Sequence, residues 1–283
     1  IDEKSNSCEI LPFQPTPEKW MPLRTCCAWF LSIDTESGRP QKMPKSMEPA
    51  FTMWGQAQLQ SWFFDQVYFG ASALESVWKA DMINKNIQLA RTGFPTPENY
   101  HGATSIINRA LNYKMGVKGK KGAVIGSENP WIETLILAAN ATKITTIEYG
   151  KIVTDHPQIE TMTIPELKKQ AASLKFDFIF TFSSLEHSGL GRYGDKLAPM
   201  GDLEWIRRFW CLLKPGGIFY LGIPVTNTDC ITWNAHRIYG PNRLPHVMEG
   251  FELLETVGSP STGCDHNGQP IFILKKPLMS LDK

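Results

Sequence analysis

Four stretches of the chain carry side chains able to do chemistry. The first is Gly126-Ser127-Glu128-Asn129-Pro130-Trp131, directly after the apolar run Ala123–Ile125. A lone glycine opening onto a helix lets backbone N–H groups face a small anionic group. A pyrophosphate needs close backbone approach on several sides, and a dinucleotide loop supplies it with three glycines. NAD and FAD are therefore disfavoured, whereas a phosphate-free nucleoside with an amino-acid tail is compatible. Roughly 20 residues further on, Glu148 ends the next β-like run, where a carboxylate accepts both ribose hydroxyls and disfavours a 2′-phosphate.

The third stretch, Ser183-Ser184-Leu185-Glu186-His187-Ser188-Gly189-Leu190-Gly191-Arg192-Tyr193-Gly194-Asp195, is too rich in glycine and polar groups for a helix. It reads as a loop in which His187 serves as a base near neutral pH and Arg192, Tyr193 and Asp195 bind an acceptor. The competing reading is a self-satisfied loop, with Asp195 as a cap paired to Arg192. The fourth group is Asn227, Asp229, Trp233, Asn234, His236, Arg237 and Tyr239. Here His236 and Asp229 are alternative bases, Asp195 being another, and Trp233 with Tyr239 would form a face for a sugar or aromatic acceptor. His101, His156, His246 and His266 read as surface or structural.

The elements that must position these groups are an alternation of short β-like runs and helices, the pattern of a parallel sheet with crossover helices. Strands are expected at Ala123–Ile125, Lys143–Tyr149, about 159–164, Phe176–Phe182 and Ile218–Ile223. Two closing strands follow at Phe251–Val257 and Ile271–Lys275. Helices are expected at 129–140 (Asn129 as N-cap, Pro130 as first residue), 165–174 and 202–213, and Lys214-Pro-Gly-Gly reads as a turn. An open sheet binds ligands beyond its strand C-termini, where all four polar stretches fall. Upstream, residues 98–114 and two segments at 56–69 and 71–89 have helical spacing. Residues 1–55 carry prolines at 12, 15, 17, 22, 40, 44 and 49 together with Phe13, Trp20, Trp29, Phe30, Phe51 and Trp54. Prolines forbid long helices and the aromatics demand burial, so an irregular arm packed on a body is expected.

Composition bounds the rest. The chain has 283 residues, 42% hydrophobic, with Lys plus Arg (29) nearly cancelling Asp plus Glu (28). Disorder is excluded, and no overall charge attracts nucleic acid or anionic lipid. No apolar run approaches the roughly 18 residues needed to span a bilayer. The first residue is Ile1 rather than Met, which leaves room for a preceding N-terminal anchor as the one expected membrane connection. Six cysteines without a CxxC pair are compatible with free thiols or with bridges. Asn140-Ala141-Thr142 is a sequon that a secretory lumen would glycosylate.

Together VIGSENPW, IEY, FDFIFTFSSLEH and LLKPGGIFYLGIPV resemble the core of the class I S-adenosylmethionine (SAM)-dependent methyltransferases. The stretch from SSLEHSGLGRYGD through HRIYGPNRLP is similar to an uncharacterised, mainly nematode family grouped with them. The resemblance spans about residues 60–277 and departs from the superfamily in lacking GxGxG. It implies an α/β, Rossmann-like sheet, mostly parallel with helices on both faces, over 117–283, preceded by the arm (1–55) and a helical extension (56–116). It places Gly126, Ser127 and Glu128 around the methionine part of SAM and Glu148 on its ribose, with Trp131 and Tyr149 also among the cofactor-binding residues. Ser183, Ser184 and Leu185 would lie on the sulfonium side. The activity expected is O-methyl transfer to a carbohydrate hydroxyl of a secretory-pathway (Golgi) glycan, with His187, His236 or Asp195 as base. Arg192, Tyr193, Trp233 and Tyr239 would hold the acceptor. The chemistry needs no metal, although Asp195, Asp202 or His236 would suit a divalent ion. The alternatives are a cytosolic small-molecule methyltransferase and a non-catalytic SAM-fold binding protein.

Overall fold

A computed structural model describes residues 14–22, 24–33, 40–64, 75–114 and 116–278. The first half contributes α1 (Cys26–Leu31), α2 (Glu48–Phe51), β1 (Gln58–Trp62), β2 (Ser76–Trp78), α3 (Ala80–Arg91) and α4 (Ala103–Leu111). Then follow β3 (Lys121–Ile125), α5 (Trp131–Ala138), β4 (Lys143–Glu148), β5 (Ile152–Thr154), β6 (Ile159–Thr163), α6 (Ile164–Gln170) and β7 (Phe176–Phe182). The last third holds α7 (Gly201–Leu212), β8 (Leu213–Gly222), β9 (Cys230–Asn234), β10 (His236–Ile238), α8 (Leu244–Met248), β11 (Glu252–Val257) and β12 (Ile271–Lys275).

The main sheet has the order β11-β12-β8-β7-β3-β4-β6. Strands β6, β4, β3, β7 and β8 are mutually parallel, and β12 runs antiparallel to both β8 and β11. Because side chains alternate between faces along a strand, each strand feeds two separate cores. Ala123, Ile125, Ile179 and Phe219 face one layer with Phe209 of α7, Leu167 of α6 and the arm residues Trp29 and Phe30. Val124, Phe178, Phe180 and Tyr220 face the other, with Ile83 of α3, Ile107 of α4 and Ile132 of α5. This is the mostly parallel α/β sheet, covered by helices on both faces, that the sequence predicts. The chain runs outward from β3 through β4 to β6, then returns to β7 on the opposite side. Strand order therefore reverses between β3 and β7, and that is where such a sheet leaves a crevice.

Several expectations are corrected. Gln58–Trp62, expected to be helical, is a strand paired in parallel with β9; its hydrogen bonds come from residues about 170 positions away, which no local periodicity reveals. Residues 65–74 of the two expected helices lie outside the described residues, and α3 starts only at Ala80 after the short strand β2. Pro130, not Asn129, is the residue flanking α5. Lys214-Pro215-Gly216-Gly217 is an excursion inside β8, since Leu213 opposes Phe176 and Ile218 opposes Phe178. Residues 227–239 are not an open loop: β9 and β10 form with β1 a small three-stranded sheet whose β9 and β10 side chains are buried.

Two disulfides tie distant segments together, Cys26 to Cys211 between α1 and α7, and Cys230 to Cys264 between β9 and the loop before β12. Cys27 is disulfide-bonded as well.

Candidate functional site

The turn after β3 is closely packed. Gly126 has φ +72° and its N–H donates to Ile147 O at 3.0 Å. A Cβ here would lie 1.9 Å from Ser184 Oγ, so the loops after β3 and β7 touch at this point and glycine is required for both backbone angle and space. Beneath the turn, Glu133 of α5 is fully buried. Burial pushes its pKa up to about 7. Ser127 Oγ lies 2.7 Å from Asn129 O and 2.9 Å from Glu133 Oε2, and Thr146 Oγ1 donates to Glu133 Oε1 at 2.8 Å. A protonated Glu133 satisfies the whole set: Oε2 donates to Ser127, which donates to Asn129 O. Ser127 thus shapes the turn from below and does not face the cavity.

Glu148 closes β4 beside this turn. Its Oε1 accepts the Tyr149 N–H at 2.6 Å, and burial, reinforced by Glu128, raises its pKa to about 7. On the other side of the switch point Ser183 takes φ +50°, a conformation costly for a non-glycine residue and concentrated at functional sites. Its N–H donates to Gly222 O at 2.9 Å, its Oγ donates to Glu186 Oε1 at 2.8 Å, and Gln269 Nε2 donates to Ser183 Oγ at 3.2 Å. Glu186 is buried; its Oε2 has no partner among the described residues, and burial brings its pKa up to about 7.

His187 follows in a 3₁₀ turn (Leu185–His187). Its Nδ1 lies 2.6 Å from Ala235 O, which assigns the proton to Nδ1 and leaves a lone pair on Nε2, 3.8 Å from Glu186 Oε1. Burial, then Arg192, pushes its pKa down to about 3, so the ring is uncharged at neutral pH.

Of these groups Gly126, Glu148, Ser183 and His187 line one cavity of about 390 Å³, within the size range of small-molecule pockets. Of the residues singled out from sequence, it is lined by Gly126, Glu128, Trp131, Glu148, Tyr149, Ser183, Ser184, His187 and Tyr193. Sequence reasoning missed Ser76 and, from the loop before α4, Asn99 and Tyr100. Tyr100 packs its ring 5.7 Å from Phe182 and 6.1 Å from Trp131. Glu133 and Glu186 were missed as well. Glu133 had a readable signal, a lone carboxylate in the otherwise apolar helix WIETLILA.

The other expected site residues are used elsewhere. Leu185 is in the core below the sheet end. Asp195 is a loop clamp, accepting the Gly189 N–H at 2.6 Å and the Tyr193 N–H at 3.3 Å. Tyr239 is fully buried and its hydroxyl donates to Asp202 at 3.1 Å. Trp233 is buried against Phe51 and donates to Pro40 O at 3.3 Å. Neither can offer a face to an acceptor. Asp229 accepts the N–H groups of Gly240, Asn242 and Arg243, which removes it as a base. His236 lies outside the cavity lining, its ring 6.3 Å from that of His187. Arg192 lays its guanidinium over Phe64 at 4.3 Å and donates to Ala235 O at 3.2 Å. Asp202 is held by a bidentate Arg243; burial raises its pKa, but Arg237 and Arg243 outweigh burial and hold it at about 2. Asp195, Asp202 and His236 therefore do not converge, and no group of three or more metal-ligating side chains occurs among the described residues.

Among solved structures the chain is similar to the N-methyltransferase NodS of Bradyrhizobium japonicum WM9 in complex with S-adenosyl-L-homocysteine (SAH). That match has 13% identity and a TM-score of 0.44, over 70% of this chain and 98% of that one. It is also similar to the [4+2]-cyclase SpnF, with 15% identity and a TM-score of 0.46, over 70% and 94% of the two chains. Comparison with the curated proteins gave no match. A family model matches residues 119–267, from the residues before β3 through the loop that leads into β12. With more than half of its length matched, the chain belongs to the family described as Caenorhabditis protein of unknown function, DUF268.

Proposed function

We propose that the cavity binds SAM and that the protein is an O-methyltransferase acting on a carbohydrate hydroxyl in an oxidising secretory lumen. The observation that carries this reading is that Gly126 and Glu148 open onto the same cavity as Ser183, Ser184 and His187. The residues fit the cofactor chemically. Glu148 accepts hydroxyl hydrogens, and Glu128 and Glu148 give the cavity carboxylates suited to a cationic ligand. When bound, SAM supplies a methyl group on a cationic sulfur.

The chain's own part is alignment and proton removal. An acceptor hydroxyl would lose its proton as the methyl carbon passes from the sulfonium sulfur, released as the neutral thioether of SAH, to the hydroxyl oxygen, and His187 Nε2 would be the lone pair that takes that proton. Burial and Arg192 penalise the resulting imidazolium, and the Glu186 carboxylate 3.8 Å away balances that charge. Glu186 is in this sense a positioning residue. Two further observations support the lumenal setting. Disulfides persist in oxidising compartments, and Cys26–Cys211 and Cys230–Cys264 are formed. Asn140 and Thr142 of the sequon are both exposed.

Calorimetry with SAM and SAH tests the cofactor. Glu148→Ala is expected to weaken binding by about 1–3 kcal/mol, the loss of hydrogen bonds to a charged group. In the wild type, ribose hydroxyls donate to the ionised carboxylate, so binding favours deprotonation and releases a proton. Affinity is accordingly expected to fall as pH drops through about 7, and Glu148→Gln to abolish that dependence. Absence of binding at millimolar SAM would remove the enzyme reading. Binding without methyl transfer to any glycan or metabolite would favour a SAM-responsive binding protein.

A further inference from the structure

The acceptor face expected of Trp233 and Tyr239 is buried, yet an aromatic face does exist beside the cavity, built by other residues. Trp62, at the end of β1, is 50% exposed. Around it stand Phe64 at 4.9 Å, His236 at 6.0 Å and His266 at 6.1 Å between ring centroids, with His236 and His266 4.9 Å apart. Arg192 covers Phe64. Five residues from four chain segments thus form one patch, although His266 reads from sequence as surface or structural.

The patch is rigidly held. The buried Asn234 pins the Phe64 backbone from both sides: Phe64 N–H donates to Asn234 Oδ1 at 2.7 Å, and Asn234 Nδ2 donates to Phe64 O at 2.9 Å. It also adjoins the site, because His236 bridges Trp62 (6.0 Å) and His187 (6.3 Å). A buried imidazole is disfavoured as a cation, and burial with His266 and Arg192 keeps His236 neutral, its pKa down at about 4. The chemistry on offer is a broad indole surface, imidazole nitrogens and a guanidinium, with hydrogen-bond donors at the edge of an apolar plane. A pyranose has the complementary form, an apolar C–H face rimmed by hydroxyls.

We propose that Trp62 is the platform on which the acceptor sugar ring stacks, with Phe64, His236 and His266 around it and the reacting hydroxyl directed toward His187. This rests on the carbohydrate O-methyltransferase reading and supplies its acceptor seat.

The test is saturation-transfer NMR and calorimetry on the full chain, with methyl glycosides of mannose, fucose and galactose and a neutral oligosaccharide as probes, with and without saturating SAH. The wild type is expected to bind at least one probe. Trp62→Ala should weaken that binding tenfold or more, about 1.4 kcal/mol, Trp62→Phe should retain most of it, and SAH affinity should stay unchanged in both. Glu148→Ala should weaken SAH and leave the sugar untouched. Equal sugar binding by Trp62→Ala, or SAH binding with no sugar bound by the wild type, would overturn the proposal. Sugar binding lost in Trp62→Ala from a wild type that fails to bind SAH would uphold the platform and sink the methyltransferase reading, so the two failures are distinguishable.

Discussion

His187→Ala is expected to lower kcat by roughly 10²–10⁴, the range supplied by a positioned general base, while leaving SAM and SAH affinity unchanged. The reason is geometric. The Nδ1 proton is committed to Ala235 O at 2.6 Å, so the ring has one lone pair, on Nε2, and the ring lies in the cavity wall. His236 and Asp195 are outside that wall and cannot substitute. The pH profile carries a second signature. His187, with its pKa near 3, stays neutral from mildly acidic to alkaline pH and adds no limb there. Glu186, whose pKa lies near 7, ionises within that window, and only its charged form offsets a protonated His187. Rate should therefore rise with pH through about 7, and Glu186→Gln should flatten that rise and lower kcat with SAM affinity retained. Steady-state kinetics with a methylated-product readout would show it; a His187→Ala enzyme with wild-type kcat would take the base role away from this residue.

Removing the Cys26–Cys211 bridge by the double substitution Cys26→Ser and Cys211→Ser is expected to cost about 3–5 kcal/mol. It closes a loop with a sequence separation of 185 residues, and the unfolded chain regains the corresponding freedom when the link is cut. The bridge joins α1 to α7, where Trp29 and Phe30 share a core with Phe209. Arg208 adds a hydrogen bond from Nε to Trp29 O at 3.0 Å. The arm is thus part of the layer covering one face of the sheet, and loosening it exposes that face. For a domain of this size the melting temperature should fall by roughly 6–20 °C, and reductant, which also opens Cys230–Cys264, should produce at least as large a fall in the wild type. Urea denaturation of the double variant checks the free energy. A midpoint unchanged by both treatments would show that the bridge contributes nothing to stability. It would also remove one of the supports for an oxidising lumen.

The sheet and its ligand edge were legible because they are local. FDFIFTF, KITTIEY and the run Ala123–Ile125 show strand character within a few residues, and the glycine-rich and polar stretches that follow them must lie at strand ends. That reasoning located Gly126, Glu148, Ser183, Ser184 and His187, which do share one cavity. It failed where an element owes its form to a distant partner. Gln58–Trp62 is a strand only because β9 pairs with it. Residues 227–239 read as a polar group at the ligand edge, yet much of their hydrogen bonding is internal: Asn234 bonds the Phe64 backbone and Arg237 donates to Ser188 O at 2.5 Å.

From the sequence alone came the alternation of strands and helices, the single-glycine turn that disfavours a pyrophosphate, and the carboxylate at the end of the second main-sheet strand, since each follows from residue type and spacing. Tertiary structure decided which polar side chains remain open to a ligand. Tyr239 is taken by Asp202, Asp195 by its own loop and Trp233 by Phe51, while Trp62 and His266, far apart in the chain, meet beside His187's neighbour His236. A buried polar group must find a partner wherever the fold provides one. Its availability for chemistry is therefore a property of contacts across the chain, which residue spacing does not encode.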